Sequence, residues 1–369
     1  MKFVDLDAQF KVVEPEIRAA LDRVLQHTQF IMGPEIKALE RQLSEYCGAR
    51  HALTAGSGSD ALLMALMAYD AGPGDGIIAP PFTFVATAEM VQLLGATTVF
   101  VDVEEENFNL DVDLLEEAIR KTRGQVNLKG IVPVDLFGLP ARHDEIQAIA
   151  ERNGLFVLSD AAQSFGAEYR GRKVGVFGNI SITSFFPAKP LGCYGDGGAV
   201  FTDSDELAEK IESIRIHGKG KSQYENIRIG VTGRMDTIQA AVLGCKLKIF
   251  EDELNRRREI ADYYSEQLQE YVAVPSVPDD CRSAWAAYTI RTPRRDRVRA
   301  HLQREEIPFA VYYPSPLHRQ PAFKNAFWGG KDMAVSDRLS EEVISLPIHP
   351  YLTGRDQDRI IEEVIKGVG

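Results

Sequence analysis

Cysteine is scarce in this chain, with four residues among 369. Cys47, Cys193, Cys245 and Cys281 lie far apart, and no Cys-x-x-Cys pair occurs. Such spacing indicates neither a disulfide framework nor a zinc site. Because disulfides are rare in reducing compartments, this cysteine usage favours the cytoplasm. We therefore expect a cytoplasmic protein without a metal site.

Long hydrophobic runs are also missing. The longest apolar stretch, residues 76–101, is interrupted by Pro80, Pro81, Glu89 and Gly95, whereas a membrane-spanning helix needs about 20 consecutive apolar residues. The first ten residues contain two aspartates and no apolar core, so they lack the pattern of a signal peptide. These features predict a soluble protein with no membrane partner.

Basic residues are outnumbered by acidic residues. The chain has 42 Lys and Arg against 54 Asp and Glu, a formal charge of −12, and its pI is about 5.2. A negative field repels nucleic acid and anionic lipid unless a local basic patch opposes it. The arginine cluster at residues 256–258 has acidic residues on both sides, and we expect it on a solvated helix face. No nucleic-acid partner is expected.

What the chain does contain is ordinary globular composition, with 44% hydrophobic and 26% charged residues, which excludes a largely disordered chain. Over the first two thirds, short β-rich apolar runs alternate with segments of helical period. The predicted strands are 51–54, 76–79, 97–101, 130–134, 155–158, 180–185 and 199–202. The predicted helices are 34–46, 61–70, 87–94, 113–121, 143–153 and 205–216. This alternation predicts an α/β fold with a mostly parallel sheet covered on both faces.

The pattern changes near residue 236. Residues 236–269 have the period of one long helix or of a kinked pair, apolar at first and then highly charged. The remainder combines a strand at 286–291 with helices at 295–305 and 334–342, and Pro275 and Pro278 mark a linker. We predict a large α/β domain, residues 1–245, and a smaller C-terminal α/β domain, residues 246–369, with the active site where they meet.

The most informative segment runs from Ser184 to Gly198, with the sequence Ser-Phe-Phe-Pro-Ala-Lys-Pro-Leu-Gly-Cys-Tyr-Gly-Asp-Gly-Gly. A predicted strand leads into this Gly-rich loop, which presents Lys189 without a neighbouring acid to form a surface ion pair. A lysine that is partly desolvated in a loop can lose its proton and attack a carbonyl. Taken alone, a lysine in such a loop is more often a solvated surface residue.

A second element is the apolar run that ends at Asp160. Ligands bind at the carboxyl ends of parallel strands, so Asp160 is expected to point into a crevice; by itself it could equally cap the next helix. Together with Lys189 it favours pyridoxal phosphate (PLP), which needs a lysine for its Schiff base and a carboxylate against the pyridine nitrogen. The carboxylate keeps that nitrogen protonated, and the ring then accepts the electrons of a Cα–H bond.

A third element, residues 53–61, is a strand that feeds a Gly-rich turn and then a helix, with the sequence Leu-Thr-Ala-Gly-Ser-Gly-Ser-Asp-Ala. Backbone N–H groups and the positive helix end at such a turn hold phosphate. The segment also fits the dinucleotide-binding motif G-x-G-x-x-A. An NAD-dependent dehydrogenase is nevertheless the weaker interpretation, because the acid expected after the next strand is missing and Asp75 precedes that strand.

With these elements in place, the chain closely resembles the PLP-dependent nucleotide-sugar aminotransferases of the DegT/StrS family. The resemblance runs from end to end, and the lysine loop and the Asp-x-x-Gln element are together its most specific part. It implies the aspartate-aminotransferase fold (fold type I), with a mostly parallel sheet in the large domain and a smaller C-terminal α/β domain. The segments that carry it are 30–34, 58–62, 81–87 (Pro-Phe-Thr-Phe-Val-Ala-Thr), 160–163 (Asp-Ala-Ala-Gln), the Lys189 loop and 234–236.

The resemblance implies a role for each matching residue. Lys189 would carry the cofactor as a Schiff base, Asp160 would pair with the pyridine nitrogen, and Gln163 would hydrogen-bond the phenolic oxygen. Phe84 would stack on the ring face, unless it packs in the core. The cofactor phosphate would be held by backbone and hydroxyl groups of Gly58, Ser59, Asp60 and Ser184. The alternative for that last serine is a hydroxyl on a strand face.

One position departs from the family pattern. Where the family usually has Gly-x-Asn-x-Arg, this chain has Gly230-Val-Thr232-Gly-Arg234. The family asparagine reaches the cofactor phosphate of the neighbouring subunit, and Thr232 has a shorter reach for that contact. Arg234 would face a substrate carboxylate or diphosphate, or else merely begin a helix. In residues 311–321, which resemble the substrate-lining segment of the family, Tyr313 and His318 are the candidates for contact with the sugar or nucleotide.

The lysine loop most resembles that of family members that aminate C3 of UDP-2-acetamido-2-deoxy-3-oxo-glucuronic acid for surface polysaccharides, lipopolysaccharide included. The resemblance thus implies a transferase that takes its amino group from L-glutamate, releases 2-oxoglutarate and forms a homodimer with shared active sites. The alternative acceptor is a 4-keto-6-deoxy sugar on UDP or dTDP. A PLP sugar dehydratase of the same fold would have histidine in place of Lys189, and a non-enzymatic regulator would not need an intact site.

Overall fold

The computed structural model describes residues 1–222, 224–328 and 332–369. The helices in these ranges are α1 (Leu6–His27), α2 (Pro34–Cys47), α3 (Gly58–Ala68), α4 (Ala86–Leu93), α5 (Val112–Thr122), α6 (His143–Asn153), α7 (Asp205–Ile214), α8 (Thr237–Lys246), α9 (Phe250–Leu268), α10 (Arg295–Arg304), α11 (Ala334–Glu342) and α12 (Gly354–Val368). The strands are β1 (His51–Ala55), β2 (Asp75–Ala79), β3 (Thr97–Phe100), β4 (Asn127–Ile131), β5 (Phe156–Asp160), β6 (Glu168–Tyr169), β7 (Arg172–Lys173), β8 (Ile180–Ser184), β9 (Gly198–Thr202), β10 (Cys281–Arg282), β11 (Tyr288–Arg291), β12 (Phe327–Trp328) and β13 (Val343–Leu346).

Eight strands form the central sheet, in the order β1-β9-β8-β5-β4-β2-β3-β12. β9 runs antiparallel to both of its neighbours, β1 and β8, and the other neighbouring strands pair in parallel. The predicted α/β fold with a mostly parallel sheet is therefore confirmed. Because Asp160 pairs with Ile182 in this register, the carboxyl ends of β5 and β8 lie at the same edge of the sheet.

The sheet is buried on both faces. Every residue of β2, β5 and β9 is buried, which explains why these strands are continuous apolar runs rather than alternating ones. On one face Ile36 and Leu39 of α2 pack with Phe201 of β9. On the other face Ala61 and Met64 of α3 form a separate core with residues of β5, β8 and β9.

Some elements lie outside the sequence prediction. Helix α1 buries a stripe of apolar residues, Val13, Ile17, Ala20 and Val24, which packs on α8. Residues 236–269 form the kinked pair, α8 and α9, rather than one long helix. The short strands β6, β7, β10 and β12 have two residues each, which is too few to produce a readable period.

A separate hydrophobic core lies after residue 259. Ile260 and Tyr264 of α9 pack there with Tyr288, Ile344 and Ile360, so α9, α10 and α12 share a core with the two-stranded sheet β11-β13. A division of the chain into domains near residue 245 stays a prediction.

All four cysteines are free thiols. Of the helices in the described ranges, none is long and apolar enough to span a membrane.

Candidate active site

Lys189 lies in the loop that leaves the carboxyl end of β8. Its backbone N–H donates to the carbonyl of Phe186 at 2.9 Å. Although the residue keeps some contact with solvent, the protein packed around its ammonium group lowers the pKa of Lys189 to about 8 by desolvation, and the charge of Asp160 opposes this shift. A lysine with such a pKa has a substantial neutral fraction near neutral pH, as a nucleophile for a carbonyl requires.

Asp160 is the last residue of β5 and is buried. Burial raises the pKa of Asp160, whereas the Thr87 hydrogen bond, the Ala162 amide and the charge of Lys189 lower it. The Thr87 hydroxyl donates to Oδ2 at 2.7 Å, and the Ala162 N–H donates to Oδ1 at 3.1 Å. Both hydrogen bonds favour the ionised carboxylate, which is the form that can hold a proton on a ring nitrogen.

The turn between β1 and α3 lies against the end of β8. A Cβ atom added at Gly58 would be 2.7 Å from the Ser184 Cβ, so only glycine allows the first turn of α3 to approach Ser184 this closely. The first N–H groups of a helix have no partner within the helix. With the Ser184 hydroxyl beside them, they form a site suited to a phosphate group.

The predicted phosphate ligand Asp60 lies differently from expectation. Its backbone N–H donates to the Ser57 hydroxyl at 3.0 Å, so the Ser57 side chain caps this N–H, which does not face a ligand. Its carboxylate lies over Gly56, where a Cβ atom would be 2.8 Å from Oδ2, and burial raises the pKa of Asp60. Ser57, which sequence pattern did not single out, is thus the helix cap at this turn.

Gln163 is held from both sides by hydrogen bonds. Its Oε1 accepts from the backbone N–H of Phe137 at 2.9 Å, and its Nε2 donates to the Tyr313 hydroxyl at 3.1 Å. One amide N–H of Gln163 is left to meet a ligand oxygen. Tyr313 packs edge-on against Phe82, with ring centroids 6.0 Å apart, so the structure brings Tyr313 and Gln163 together at the site.

Phe84 is 54% exposed, so packing in the core does not explain it. It lies three residues before Thr87, whose hydroxyl contacts Asp160. An exposed aromatic face suits a flat cationic ring. The predicted stacking role of Phe84 stays a prediction, and its exposure is compatible with it.

The residues predicted to contact a substrate are less closely grouped. Arg234 donates to the Thr232 hydroxyl at 2.6 Å, and both lie next to the Gly56 turn, because the Gly56 N–H donates to the Gly233 carbonyl at 2.9 Å. His318 is fully buried and lies 3.0 Å from the Asp337 carboxylate. Burial lowers the pKa of His318. Contact of His318 with a sugar or nucleotide stays a prediction.

The residues of this site fit PLP. A lysine of lowered pKa would hold its carbonyl, a buried carboxylate would face its ring nitrogen, and an exposed aromatic ring would cover its face. At the start of α3, Gly58 lets the helix backbone approach Ser184 closely, so the Ser184 side chain lies beside the first N–H groups of the helix, where a phosphate would bind. The Ser184 hydroxyl, whose oxygen accepts from the Phe186 N–H, and one amide N–H of Gln163 remain to donate to the oxygens of PLP.

Comparison with known proteins identifies the sequence family. Residues 11–365 match the sequence model of the DegT/DnrJ/EryC1/StrS aminotransferase family. Among characterised relatives, UDP-2-acetamido-2-deoxy-3-oxo-D-glucuronate aminotransferase of Pseudomonas aeruginosa is 44% identical over 353 residues, which are 95% of this chain and 96% of the relative.

Solved structures agree with this family. A DegT DnrJ EryC1 StrS aminotransferase from Brucella abortus has a TM-score of 0.99 and 48% identity over the full length of both chains. The ntda protein of Bacillus subtilis, with bound cofactor PMP, has a TM-score of 0.87 and 28% identity over 99% of this chain and 83% of its own.

The Thr87 hydroxyl is expected to support catalysis through Asp160. In Thr87→Val the shape is kept but the hydrogen bond to the carboxylate is lost, and we expect kcat/KM to fall roughly 10- to 100-fold. Since the lost bond favours the charged form, the pKa of Asp160 rises further, and the acid limb of the kcat/KM profile moves to higher pH.

A matched control is Thr98→Val, because the Thr98 hydroxyl is buried and donates to the backbone carbonyl of Ala88 at 3.4 Å. That variant is expected to keep the activity and the pH profile of the unmodified protein. Equal loss in both variants, or no loss in Thr87→Val, would show that Thr87 does not act through Asp160.

Proposed function

Because the chain belongs to the DegT/DnrJ/EryC1/StrS aminotransferase family, we propose that it moves the amino group of L-glutamate to C3 of UDP-2-acetamido-2-deoxy-3-oxo-glucuronic acid. The observation that carries this proposal is the 44% identity, over nearly all of both chains, to an aminotransferase named for that 3-oxo sugar. The intact pair of Lys189 and Asp160 supports an active enzyme rather than a regulator. A 4-keto-6-deoxy sugar on UDP or dTDP is the alternative acceptor.

PLP, when bound, supplies a carbonyl that carries the amino group and a ring that accepts the electrons of a Cα–H bond. Lys189 would hold that carbonyl through Nζ and, once displaced by an amino donor, would move the Cα proton as a general base and acid. Its pKa of about 8 suits both proton acceptance and proton donation near neutral pH.

The remaining residues would bind and orient. The ionised form of Asp160, which the hydrogen bonds from Thr87 and Ala162 favour, would hold the proton on the ring nitrogen. Gly58, Ser59 and Ser184 would hold the phosphate, and the spare N–H of Gln163 would donate to the phenolic oxygen. The carboxylate of Asp60 would repel a phosphate, so we assign that residue to the structure of the turn.

The acceptor would bind beside Arg234 and Tyr313. Arg234 offers a planar guanidinium that matches a uronate carboxylate or a diphosphate. Tyr313 contacts Gln163, so a sugar next to Tyr313 would lie close to the cofactor ring. His318 would support the segment around Tyr313 from the protein interior. It lies in the 3-10 turn Leu317–Arg319, which is held by a hydrogen bond from the Leu317 N–H to the Pro81 carbonyl at 2.8 Å.

The visible spectrum of the purified protein tests this proposal. We expect an absorption band of lysine-bound PLP that L-glutamate bleaches and the 3-oxo-glucuronate nucleotide sugar restores. Lys189→Ala is expected to lack both the band and turnover, whereas Lys129→Ala should keep both, because Lys129 pairs with Asp75 at the start of β2.

Two outcomes separate the alternatives. Bleaching by glutamate without recovery on the 3-oxo sugar, but with recovery on a 4-keto-6-deoxy sugar, would contradict amination at C3. A protein that shows no band even after incubation with PLP would refute the roles of Lys189 and Asp160, and a non-enzymatic regulator would then be the better account.

We also propose that the protein is a cytoplasmic homodimer in surface polysaccharide synthesis, with each active site shared between subunits. An exposed apolar segment supports the dimer: Tyr224, Ile227 and Ile229 are 89%, 56% and 85% exposed and precede Thr232. Such residues are expected to bury their surface against a partner.

Light scattering after gel filtration should give twice the 41.0 kDa chain mass, and a monomer at micromolar concentration would contradict a shared site.

A further inference from the structure

A second buried lysine, Lys246, faces the loop that carries Lys189. It is the last residue of α8 and only 1% exposed. Its Nζ donates to the backbone carbonyl of Gly192 at 2.7 Å and lies 4.3 Å from the centroid of the Tyr194 ring. Gly192 and Tyr194 both belong to the same loop as Lys189, between β8 and β9, so one side chain contacts this loop at two points.

The ammonium group of Lys246 is held in an unusual way. Its contacts among the described residues are a carbonyl and an aromatic face, rather than a carboxylate at ion-pair distance. Burial lowers the pKa of Lys246 to about 8, and the charges of Glu253 and Cys193 oppose this shift. Since burying a charge without a partner charge is costly, a methionine of similar length would pack there at lower cost if packing were the only requirement.

Gly192 and Lys189 belong to one folded turn. A Cβ atom at Gly192 would be 2.5 Å from the Pro187 carbonyl and 2.7 Å from the Phe186 carbonyl, and the Lys189 N–H donates to that same Phe186 carbonyl at 2.9 Å. The Cys193 N–H donates to the Phe185 carbonyl at 2.8 Å. A contact that fixes the Gly192 carbonyl therefore also fixes the backbone of Lys189.

Helix α8 contacts this turn a second time. Oε1 of Gln239, two turns before Lys246, accepts from the Tyr194 N–H at 2.9 Å. The helix itself is held by α1, because Ala241, Val242 and Cys245 pack against the apolar stripe of α1. The lysine loop is thus fastened to a buried, well-packed helix rather than left as a free loop.

We propose that Lys246 is a positioning residue, which holds the turn from Phe185 to Gly195 in the conformation that directs Lys189 at the cofactor carbonyl. This inference rests on the proposed role of Lys189. A displacement of about 1 Å at a reacting group can cost two orders of magnitude in rate, so a single side chain that fixes this turn has a large effect on covalent capture of PLP.

The test compares Lys246→Met with Tyr264→Phe in the full-length protein. The control removes a buried hydrogen bond of the same kind, because the Tyr264 hydroxyl donates to the Pro347 carbonyl at 3.1 Å, far from the lysine loop. Two quantities are measured: hydrogen exchange of the amides of residues 186–197 without cofactor, and the rate at which the protein captures added PLP.

In Lys246→Met we expect exchange at the Lys189, Cys193 and Tyr194 amides to be at least about tenfold faster and PLP capture about tenfold slower than in the unmodified protein. Tyr264→Phe is expected to change neither. Exchange and capture in Lys246→Met at the rates of the control would overturn the proposal.

A second variant covers the case in which Lys246→Met fails to fold. Tyr194 is only about two-thirds buried, so Tyr194→Leu is expected to fold, and removal of the ring beneath Nζ should accelerate exchange in the same amides and slow capture. Unchanged exchange in this variant would overturn the proposal. If the unmodified protein captured no PLP at Lys189, the proposed function would fail. The exchange comparison would still test whether Lys246 fixes the turn from Phe185 to Gly195.

Discussion

Lys189 and Asp160 carry opposite charges into the same poorly solvated part of the molecule. Desolvation acts on each in the direction that neutralises it: it lowers the pKa of Lys189 to about 8 and raises the pKa of Asp160. Each charge opposes the shift of the other, and the hydroxyl of Thr87 and the N–H of Ala162 add to the stability of the carboxylate. The result is a lysine that can be neutral close to an aspartate that can remain charged, which is the combination that transamination needs.

The scaffold must position the side chains of Lys189 and Asp160 and keep water away from both. The parallel pairing of β5 and β8 brings the carboxyl end of each strand to one edge of the sheet, and Gly58 allows the start of α3 to close against Ser184. The lysine loop has little regular structure of its own. It is fixed instead by bonds to its own carbonyls and by side chains of α8. Rigid elements thus surround a loop that must be placed accurately.

Much of this architecture follows from local sequence. Alternating apolar runs and helical segments predict the parallel sheet, and the Lys189 and Asp160 elements predict the cofactor. Residues that act through distant partners leave no such pattern. Thr87 contacts a carboxylate 73 residues away, and Lys246 contacts a carbonyl 54 residues away, so neither spacing nor period identifies them. Asp60 fits the phosphate motif by type and position, but only the structure shows that its N–H is used by the Ser57 cap.

If burial keeps Lys189 reactive toward PLP, the pH dependence of PLP capture shows it most directly. The cofactor-free protein is mixed with PLP at a series of pH values, reduced with borohydride after a short interval, and digested for mass spectrometry. Neutral amine forms as pH rises, so we expect labelling on the peptide containing Lys189, increasing with pH through a midpoint near 8. Labelling on another lysine, or a midpoint near the ordinary lysine value of 10.5, would contradict it.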